Sequence, residues 1–325
     1  MKKKVNFNIN TWLPVIIFAL IAVIFGIATG GQLFGATNLM NIFNQSVSTI
    51  IAGLGMVFVA TMGSTDITCG AIVGVAGTLS CMAATNLPGP IMIPVALGVG
   101  LIVGLVAGVV VAKFKVNSFM TTLALMMGLR AFVTLLLSNN AYLIPDSMRF
   151  IDNNVFKVIA VIILVAIIVY VFHYTRFGVY VRGIGENENA IRYAGVNVEK
   201  IKIIAFAISG LMAGLAALFT IARVGGTNST IGQGFEMRVM MALYIGGIPV
   251  RGGSGSKIYK LLFGAPTIVM LENGLVLCGA SGGTTQLIRG IVLLVAVWLS
   301  NYLAKKFVNV GVSAAQNQKK AAAAE

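Results

Sequence analysis

One short run of residues has the spacing of a hydrolase nucleophile. Residues 279–283 read Gly-Ala-Ser-Gly-Gly, which matches the G-x-S-x-G turn that presents a reactive serine. A serine nucleophile needs a base within hydrogen-bond reach, and the chain has a single histidine, His173. The bilayer core of about 30 Å is expected to separate His173 from Ser281, because they fall at opposite ends of membrane spans. We therefore predict an ordinary turn at Ser281 and no catalytic residue.

The three cysteines do not have the spacing of a metal site. Cys69, Cys81 and Cys278 form no CxxC pair, and only one histidine is available to join them. Cysteine in an apolar helix behaves as a small hydrophobic residue. The sequence predicts no metal and no cofactor.

Ionisable residues inside apolar stretches are the other candidates for chemistry. Each costs roughly 3 kcal/mol at membrane depth, so such groups usually face the interior of a helix bundle. Arg130 is the deepest arginine, and we expect it to lock the bundle by pairing with an acidic residue or helix carbonyls. Glu272 could be structural or could line a path. Three further residues are expected to snorkel near outer helix ends or to meet an external partner: Glu236, Arg238 and Arg289.

Ten long apolar stretches would have to position these residues. The chain is 58% hydrophobic and only 10% charged, whereas soluble domains carry roughly a quarter charged residues. The composition predicts an all-α, multi-pass membrane helix bundle. Its spans are approximately 12–29, 47–62, 71–84, 91–112, 119–137, 158–173, 203–222, 235–249, 258–278 and 286–304. The short spans 71–84 and 235–249 adjoin polar or glycine-rich runs, which indicates either broken helices near a solute path or ordinary tight loops.

The positive charges predict the orientation of the bundle. Alternate loops and both ends hold most of the 23 Lys and Arg: Lys2, Lys3, Lys4, Lys113, Lys115, Arg176, Arg182, Arg192, Lys200, Lys202, Arg251, Lys257, Lys260, Lys305 and Lys306. The opposite loops carry Arg149, Lys157 and Arg223. Because positive loops stay cytoplasmic, both termini are predicted to be cytoplasmic. This asymmetry explains the net charge of +14 without nucleic-acid binding. The polar tail 309–325 is predicted to be disordered.

The longest cytoplasmic connection, residues 174–202, predicts a short surface helix. Asn187 can cap its start, with Glu186 and Glu188 near its positive end, and Gly195 can stop it. Three small or apolar residues are predicted to share one shallow face: Ala190, Ile191 and Ala194. No nucleophile, base or metal ligand is obvious in it. It is either a handle for another protein or a solvated helix without a partner.

The same loop carries a resemblance to a known family. Residues 185–197 read Gly-Glu-Asn-Glu-Asn-Ala-Ile-Arg-Tyr-Ala-Gly-Val-Asn, which is similar to the coupling segment of permeases from ribose-type, simple-sugar ATP-binding-cassette importers. Further segments of that family are matched in the same order along the chain: residues 66–70, 119–124 with Arg130, 204–216, 234–237, 246–255 and 273–275. The chain departs from the pattern at Arg238, at Pro249 and Arg251, and at Glu272.

The resemblance implies a permease domain over residues 1–308, in the cytoplasmic membrane, that moves a pentose or hexose. It also implies two cytoplasmic ATPase subunits, an external solute-binding protein and a second permease copy or paralogue. The chain has no G-x-x-x-x-G-K-[ST] phosphate loop of its own. The residues implied to couple to the ATPase are Gly185, Glu186, Asn187, Ala190, Ile191, Ala194 and Gly195.

Polar residues bordering the apolar stretches are candidates for contact with a hydroxylated solute. They are Asn44, Gln45, Thr65, Asp66, Thr68 and Asn273. Asp66 could instead cap a helix. Two alternatives stay open: a related permease for nucleosides or another small polar solute, and an ion-coupled secondary transporter using Asp66, Glu236 or Glu272.

Overall fold

The computed structural model describes residues 9–137 and 140–298, and this part of the chain is helical without named strands. We number its helices in chain order: α1 (Ile9–Ala28), α2 (Ala36–Thr61), α3 (Cys69–Ala84), α4 (Met92–Lys113), α5 (Ser118–Leu136), α6 (Asn154–Tyr174), α7 (Arg176–Tyr193), α8 (Val198–Val224), α9 (Phe235–Ile245), α10 (Ile258–Leu277) and α11 (Gly282–Trp298). A 3₁₀ helix, Asp146–Asp152, precedes α6. The all-α class is confirmed.

Six of these helices are long and apolar enough to cross a membrane: α2, α4, α5, α6, α8 and α10. Helices α1, α3 and α11 have shorter apolar segments, and α9 has only 11 residues. Each predicted span overlaps one helix, while the number of crossings and the orientation stay predictions. The tail 309–325 and the charges Lys2, Lys3, Lys4, Lys305 and Lys306 lie outside the described residues.

Helices α2 and α8 form the centre of the bundle. Most residues of each helix are buried, and most of those buried residues are apolar or small. Such a helix is stable when other helices enclose it. Helices α5 and α6 are the opposite case, since few of their residues are buried and their apolar side chains face outward. This arrangement is expected of a bundle whose periphery contacts lipid.

Helix α4 packs backbone to backbone against α8. Gly100 and Gly104 in α4 meet Gly210 and Gly214 in α8, where any side chain would strike the opposite backbone. Small residues permit this close approach in membranes, where lipid gives little apolar drive to helix association. The predicted rows of small residues therefore form one contact.

Replacing Gly104 with alanine is expected to destabilise the bundle by about 1–3 kcal/mol, because the new Cβ would overlap the Phe206 carbonyl and lie 3.1 Å from the Ala207 Cα. Gly98→Ala on the same helix is the matched control. Its Cβ would meet nothing within 4 Å, so only the gain in helix propensity remains. Thermal unfolding in detergent measures both variants. Equal melting temperatures would contradict the close α4–α8 contact.

Helices α3 and α9 begin inside the bundle. A segment without regular secondary structure, residues 64–68, follows α2 and leads into α3. With 11 residues, α9 is about 16 Å long, roughly half the bilayer core. The two helix starts meet, since a Cβ on Gly70 would lie 2.7 Å from the Gly232 carbonyl oxygen. The non-helical segments before α3 and before α9 therefore meet at the starts of these two helices.

Candidate functional site

The predicted surface helix is the second half of a longer, bent helix. Helix α7 begins at Arg176, well before Glu186, and bends at Asn187, where φ is −159° and ψ is 100°. Thr175 caps its start by accepting a hydrogen bond from the Gly178 amide at 3.4 Å. We call residues 186–195, from the bend to the glycine that ends the helix, the coupling segment.

The coupling segment begins and ends at the residues that the sequence predicts. The Asn187 Oδ1 accepts a hydrogen bond from the Ala190 amide at 3.0 Å, as a helix cap does. At the other end Gly195 has φ of +81°, a left-handed conformation that favours glycine. Asn187 and Gly195 thus define the length of the segment.

Glu186 ties the bend to the glycine-rich turn before α10. Its Oε1 accepts hydrogen bonds from the amide and the hydroxyl of Ser254, both at 2.7 Å. These two bonds lower the pKa of Glu186, so it is a carboxylate at neutral pH. Beside it, Gly185 lies against Thr61 and Gly253, whose own amide donates to the Thr61 carbonyl at 2.8 Å. The bend, the end of α2 and the turn therefore form one junction.

Glu188 ties the coupling segment to α8. Its carboxylate lies 2.7 Å from the Lys202 Nζ and 3.3 Å from an Arg192 nitrogen, and Arg192 also pairs with Glu199 at 2.9 Å. Burial alone would raise the pKa of Glu188, but the hydrogen bonds and charges of Lys202 and Arg192 lower it. Four charges thus link the segment to the first two turns of α8.

The outward face of the segment differs from the predicted one. Ile191 turns inward, where its side chain packs beside Gly183. Ala190 and Ala194 are exposed as predicted, and Tyr193 on the same face is 91% exposed. An exposed aromatic ring is a frequent anchor in protein interfaces. Sequence reasoning missed Tyr193, although its position between two predicted face residues was a signal.

Three of the predicted path residues, Thr65, Asp66 and Thr68, lie together in the non-helical segment before α3. Asp66 is buried, and its carboxylate accepts hydrogen bonds from the Thr68 amide and hydroxyl at 2.9 and 2.6 Å and from the Ser209 hydroxyl of α8 at 2.8 Å. The Thr65 amide donates to the Ser118 hydroxyl at 3.1 Å. Asp66 therefore joins α3 to α8, and in this conformation it does not face open space.

The other predicted path residues lie elsewhere in the bundle. The Asn44 Oδ1 accepts from the Lys157 Nζ at 2.7 Å, while the Asn273 amide donates to the Val269 carbonyl in its own helix. Gln45 is half-buried beside Asn44. Asn44 lies about 25 Å along α2 from the end that leads to Asp66. The six candidates therefore do not form a single site.

Lys157 corrects one assumption about the outer loops. It lies in the first turn of α6 and is 1% exposed, with its amine 2.5 Å from Asp152. A buried ammonium requires such a partner. Lys157 therefore links α6 to α2 through Asn44 and to the 3₁₀ helix through Asp152, and it is not an exposed loop charge.

Arg130 has the structural role that the sequence predicts. Its guanidinium donates to the Ile231 carbonyl at 2.9 Å and to the Gly232 carbonyl, and pairs with Glu236 at 3.2 Å. It therefore joins α5 to the start of α9.

Glu272 has a definite pair of partners, which corrects the expectation for two arginines. Its carboxylate lies 2.6 Å from Arg238 of α9 and 2.6 Å from Arg289 of α11. Both arginines are mostly buried rather than snorkelling outward, because a carboxylate inside the bundle attracts them. Arg238 and Glu272, two of the departures from the family pattern, thus bind each other.

The G-x-S-x-G turn caps a helix. The Ser281 hydroxyl accepts a hydrogen bond from the Thr284 amide at 3.2 Å at the start of α11. His173 lies at the end of α6, where its ring contacts the Val169 carbonyl at 3.3 Å. Among the described residues, no group of three His, Cys, Asp or Glu side chains could hold a metal ion.

Comparison with known proteins matches residues 38–297 to the family described as branched-chain amino acid transport system, permease component. The ribose import permease of Escherichia coli K12 is 31% identical over 285 residues, 82% of this chain and 87% of that protein. The ribose import permease of Haemophilus influenzae is 31% identical over 84% of this chain and 88% of its own length. The fructose import permease of Rhizobium meliloti is 29% identical over 90% and 85%.

No solved structure matches the chain. The family match covers most of the chain, and the predicted resemblance to ribose-type permeases is confirmed by the relatives above. The multi-pass helices agree with a place in the cytoplasmic membrane. The chain belongs to the family of transport-system permease components.

Proposed function

We propose that this chain is the membrane-spanning subunit of a binding-protein-dependent ABC importer for a small sugar of the pentose or hexose type. The observation that carries the proposal is the bent coupling segment, which exposes Ala190, Tyr193 and Ala194 while its other side is fastened to the bundle. A helix placed this way can transmit force between proteins. The relatives named ribose import permease and fructose import permease support a sugar as the cargo.

The contacts provide a route from the segment to the interior. A push on the segment reaches the end of α2 through the Glu186–Ser254 junction and reaches α8 through Glu188 and Lys202. Helix α8 in turn holds Asp66 through Ser209. Movement of the segment is therefore expected to shift the non-helical connection between α2 and α3 and to alternate access to a central path.

An uncharged solute fits the charges of the bundle. Arg130 pairs with Glu236, Lys157 with Asp152, and Glu272 with two arginines. Asp66 is satisfied by hydroxyl and amide donors. Each carboxylate inside the described bundle therefore already has a partner. This favours an uncharged cargo recognised through its hydroxyl groups over transport coupled to an ion.

The proposal includes partners and an orientation. Both termini and the coupling segment face the cytoplasm, where two ATPase subunits bind. A second copy or a paralogue completes the membrane unit, and a solute-binding protein delivers the sugar from outside. The lone purified chain in vesicles should accumulate no sugar under a proton or sodium gradient. Accumulation there would favour the ion-coupled alternative.

The variant Ala190→Arg is expected to insert normally but to lower ATP-driven sugar uptake at least tenfold. The new side chain adds bulk and charge at an exposed position of the proposed ATPase interface. Ala190→Ser is the matched control, since it keeps the position small, and its uptake should stay within about twofold of wild type. Uptake in membrane vesicles measures both, and full activity of Ala190→Arg would remove the coupling role.

Crosslinking identifies the partner directly. Asn189→Cys places a thiol on the exposed side of the segment, in a Cys278→Ser background because Cys278 is the exposed native thiol of the described residues. We expect it to capture an ATPase subunit in cells. Asn228→Cys, exposed in the loop before α9, should not. Capture of the ATPase by both variants or by neither would contradict the proposal.

A further inference from the structure

Lys260 is a buried lysine that the proposed route from the coupling segment does not use. The sequence predicts it as a loop charge, but it lies in the first turn of α10 and is 7% exposed. Its Nζ donates hydrogen bonds to the Gly247 carbonyl at 2.7 Å and to the Gly255 carbonyl at 2.9 Å. In the described part of the chain no carboxylate pairs with it. A buried ammonium without a counter-charge is costly, so these two carbonyl bonds keep it in place.

The two carbonyls belong to opposite ends of one connection. The glycine-rich turn, residues 246–257, joins α9 to α10. Its backbone has positive φ at Gly247, Gly252 and Gly253, with values of 86°, 77° and 98°. Glycine visits many backbone conformations, so a turn built from it is soft unless other contacts hold it. One ammonium that binds both ends closes the turn and restricts this freedom.

The turn lies between the coupling segment and α9. On one side Ser254, the neighbour of Gly255, donates from its amide and its hydroxyl to Glu186 at the bend of α7. On the other side Gly247 directly follows the last turn of α9. That last turn packs closely on α10, since a Cβ on Gly264 would overlap the Ala242 carbonyl. Lys260 therefore bridges the part of the turn that touches the segment and the part that ends α9.

Helix α9 reaches from this turn to the start of α3. With 11 residues it is short enough to move as one rigid body. The loop that leads into it contacts the start of α3 at Gly70, and its Glu236 pairs with Arg130 of α5 at 3.2 Å. A displacement of the last turn of α9 therefore reaches the start of α3, which Asp66 joins to α8.

We propose that Lys260 is a positioning residue that stiffens the glycine-rich turn, so that motion of the coupling segment also moves α9. The role rests on the proposed function, because it requires a partner that moves the segment. With the ammonium in place, a displacement of Ser254 passes to Gly255 and through Lys260 to the end of α9. Without it, the glycine torsions absorb the displacement, and ATP is hydrolysed without moving sugar.

The stiffening is tested on the purified chain in lipid nanodiscs by amide hydrogen exchange. Lys260→Met keeps a long apolar side chain but removes the ammonium. We expect the hydrogen-bonded amides of Gly252, Gly253 and Ser256 to exchange about tenfold faster in this variant. Lys257→Met, at an exposed lysine just before α10, is the matched control and should change them less than about twofold. Equal exchange in the two variants, or a rise spread over the whole chain, would overturn the stiffening.

The coupling role is tested with the complete importer reconstituted in liposomes, where sugar uptake and ATP hydrolysis are measured together. Lys260→Met should lower uptake about tenfold and hydrolysis less than about twofold, so the ATP consumed per sugar rises about fivefold or more. Lys257→Met should leave this ratio within about twofold of wild type. A parallel fall of uptake and hydrolysis in Lys260→Met, with an unchanged ratio, would show a purely structural role and overturn the proposal.

The two measurements also separate this proposal from the proposed function. If the wild-type importer takes up no sugar with ATP, the proposed function fails and the coupling role fails with it. The exchange result still decides whether Lys260 stiffens the turn. If the wild type takes up sugar and Lys260→Met does so equally well, the proposed function stands and the role of Lys260 is wrong.

Discussion

Replacing Gly185 with alanine is expected to lower sugar uptake at least tenfold while leaving the chain in the membrane. A Cβ at this position would overlap the Thr61 carbonyl and lie 2.5 Å from the Gly253 amide nitrogen. Both neighbours are backbone atoms, so the bend of α7 must move away from the end of α2. Overpacking of this kind costs about 1–3 kcal/mol, enough to shift the segment from its working position.

Gly183→Ala is the matched control for this prediction. Its Cβ would meet only the end of the Ile191 side chain, which can rotate aside. We expect at least a tenfold loss of uptake for Gly185→Ala and less than a twofold loss for Gly183→Ala, measured in vesicles with equal amounts of inserted protein. Similar uptake by the two variants would show that the junction with Thr61 does not transmit motion.

Replacing Arg130 with methionine is expected to cause the largest loss of stability, about 3–5 kcal/mol. The change would leave the Glu236 carboxylate and the Ile231 carbonyl without their partner inside the bundle. Thermal unfolding in detergent and the yield of folded protein are the measurements. The contacts of Arg130 reach the start of α9 and not the coupling segment, so the effect should be on folding rather than on coupling.

The double variant Arg130→Met, Glu236→Met separates the ion pair from the rest of the site. Removing both charges takes away the unpaired carboxylate, so the double variant should be more stable than Arg130→Met alone. If its loss equals the sum of the two single losses, the charges do not interact, and the lock between α5 and α9 consists of the carbonyl contacts.

The coupling segment shows what a sequence can predict about a site. Asn187 and Gly195 act within a few residues of themselves, as a cap and a stop, so their residue types were sufficient. The earlier start of α7 at Arg176 was missed because hydropathy defines where an apolar span ends and says little about a polar helix that follows. Ile191 turns inward beside Gly183, across the bend, and a simple helical face does not show this contact.

Residues that act through distant partners were the least predictable. Asn44 and Lys157 are 113 positions apart, and no local pattern joins them. Glu272 meets arginines from two other helices, so only the packing of α9, α10 and α11 identifies its partners. Arg130 was the exception, because the cost of an arginine at membrane depth requires some acceptor nearby whatever the fold.

The glycine contact between α4 and α8 limits how the protein can move. With no side chains between the two backbones, neither helix can slide by a turn without collision, so the pair is expected to travel as one rigid body. Flexibility is then expected in the non-helical connections before α3 and before α9. A pair of spectroscopic labels on α4 and α8 should therefore keep a constant separation through the ATP cycle, while labels on α3 and α9 change theirs.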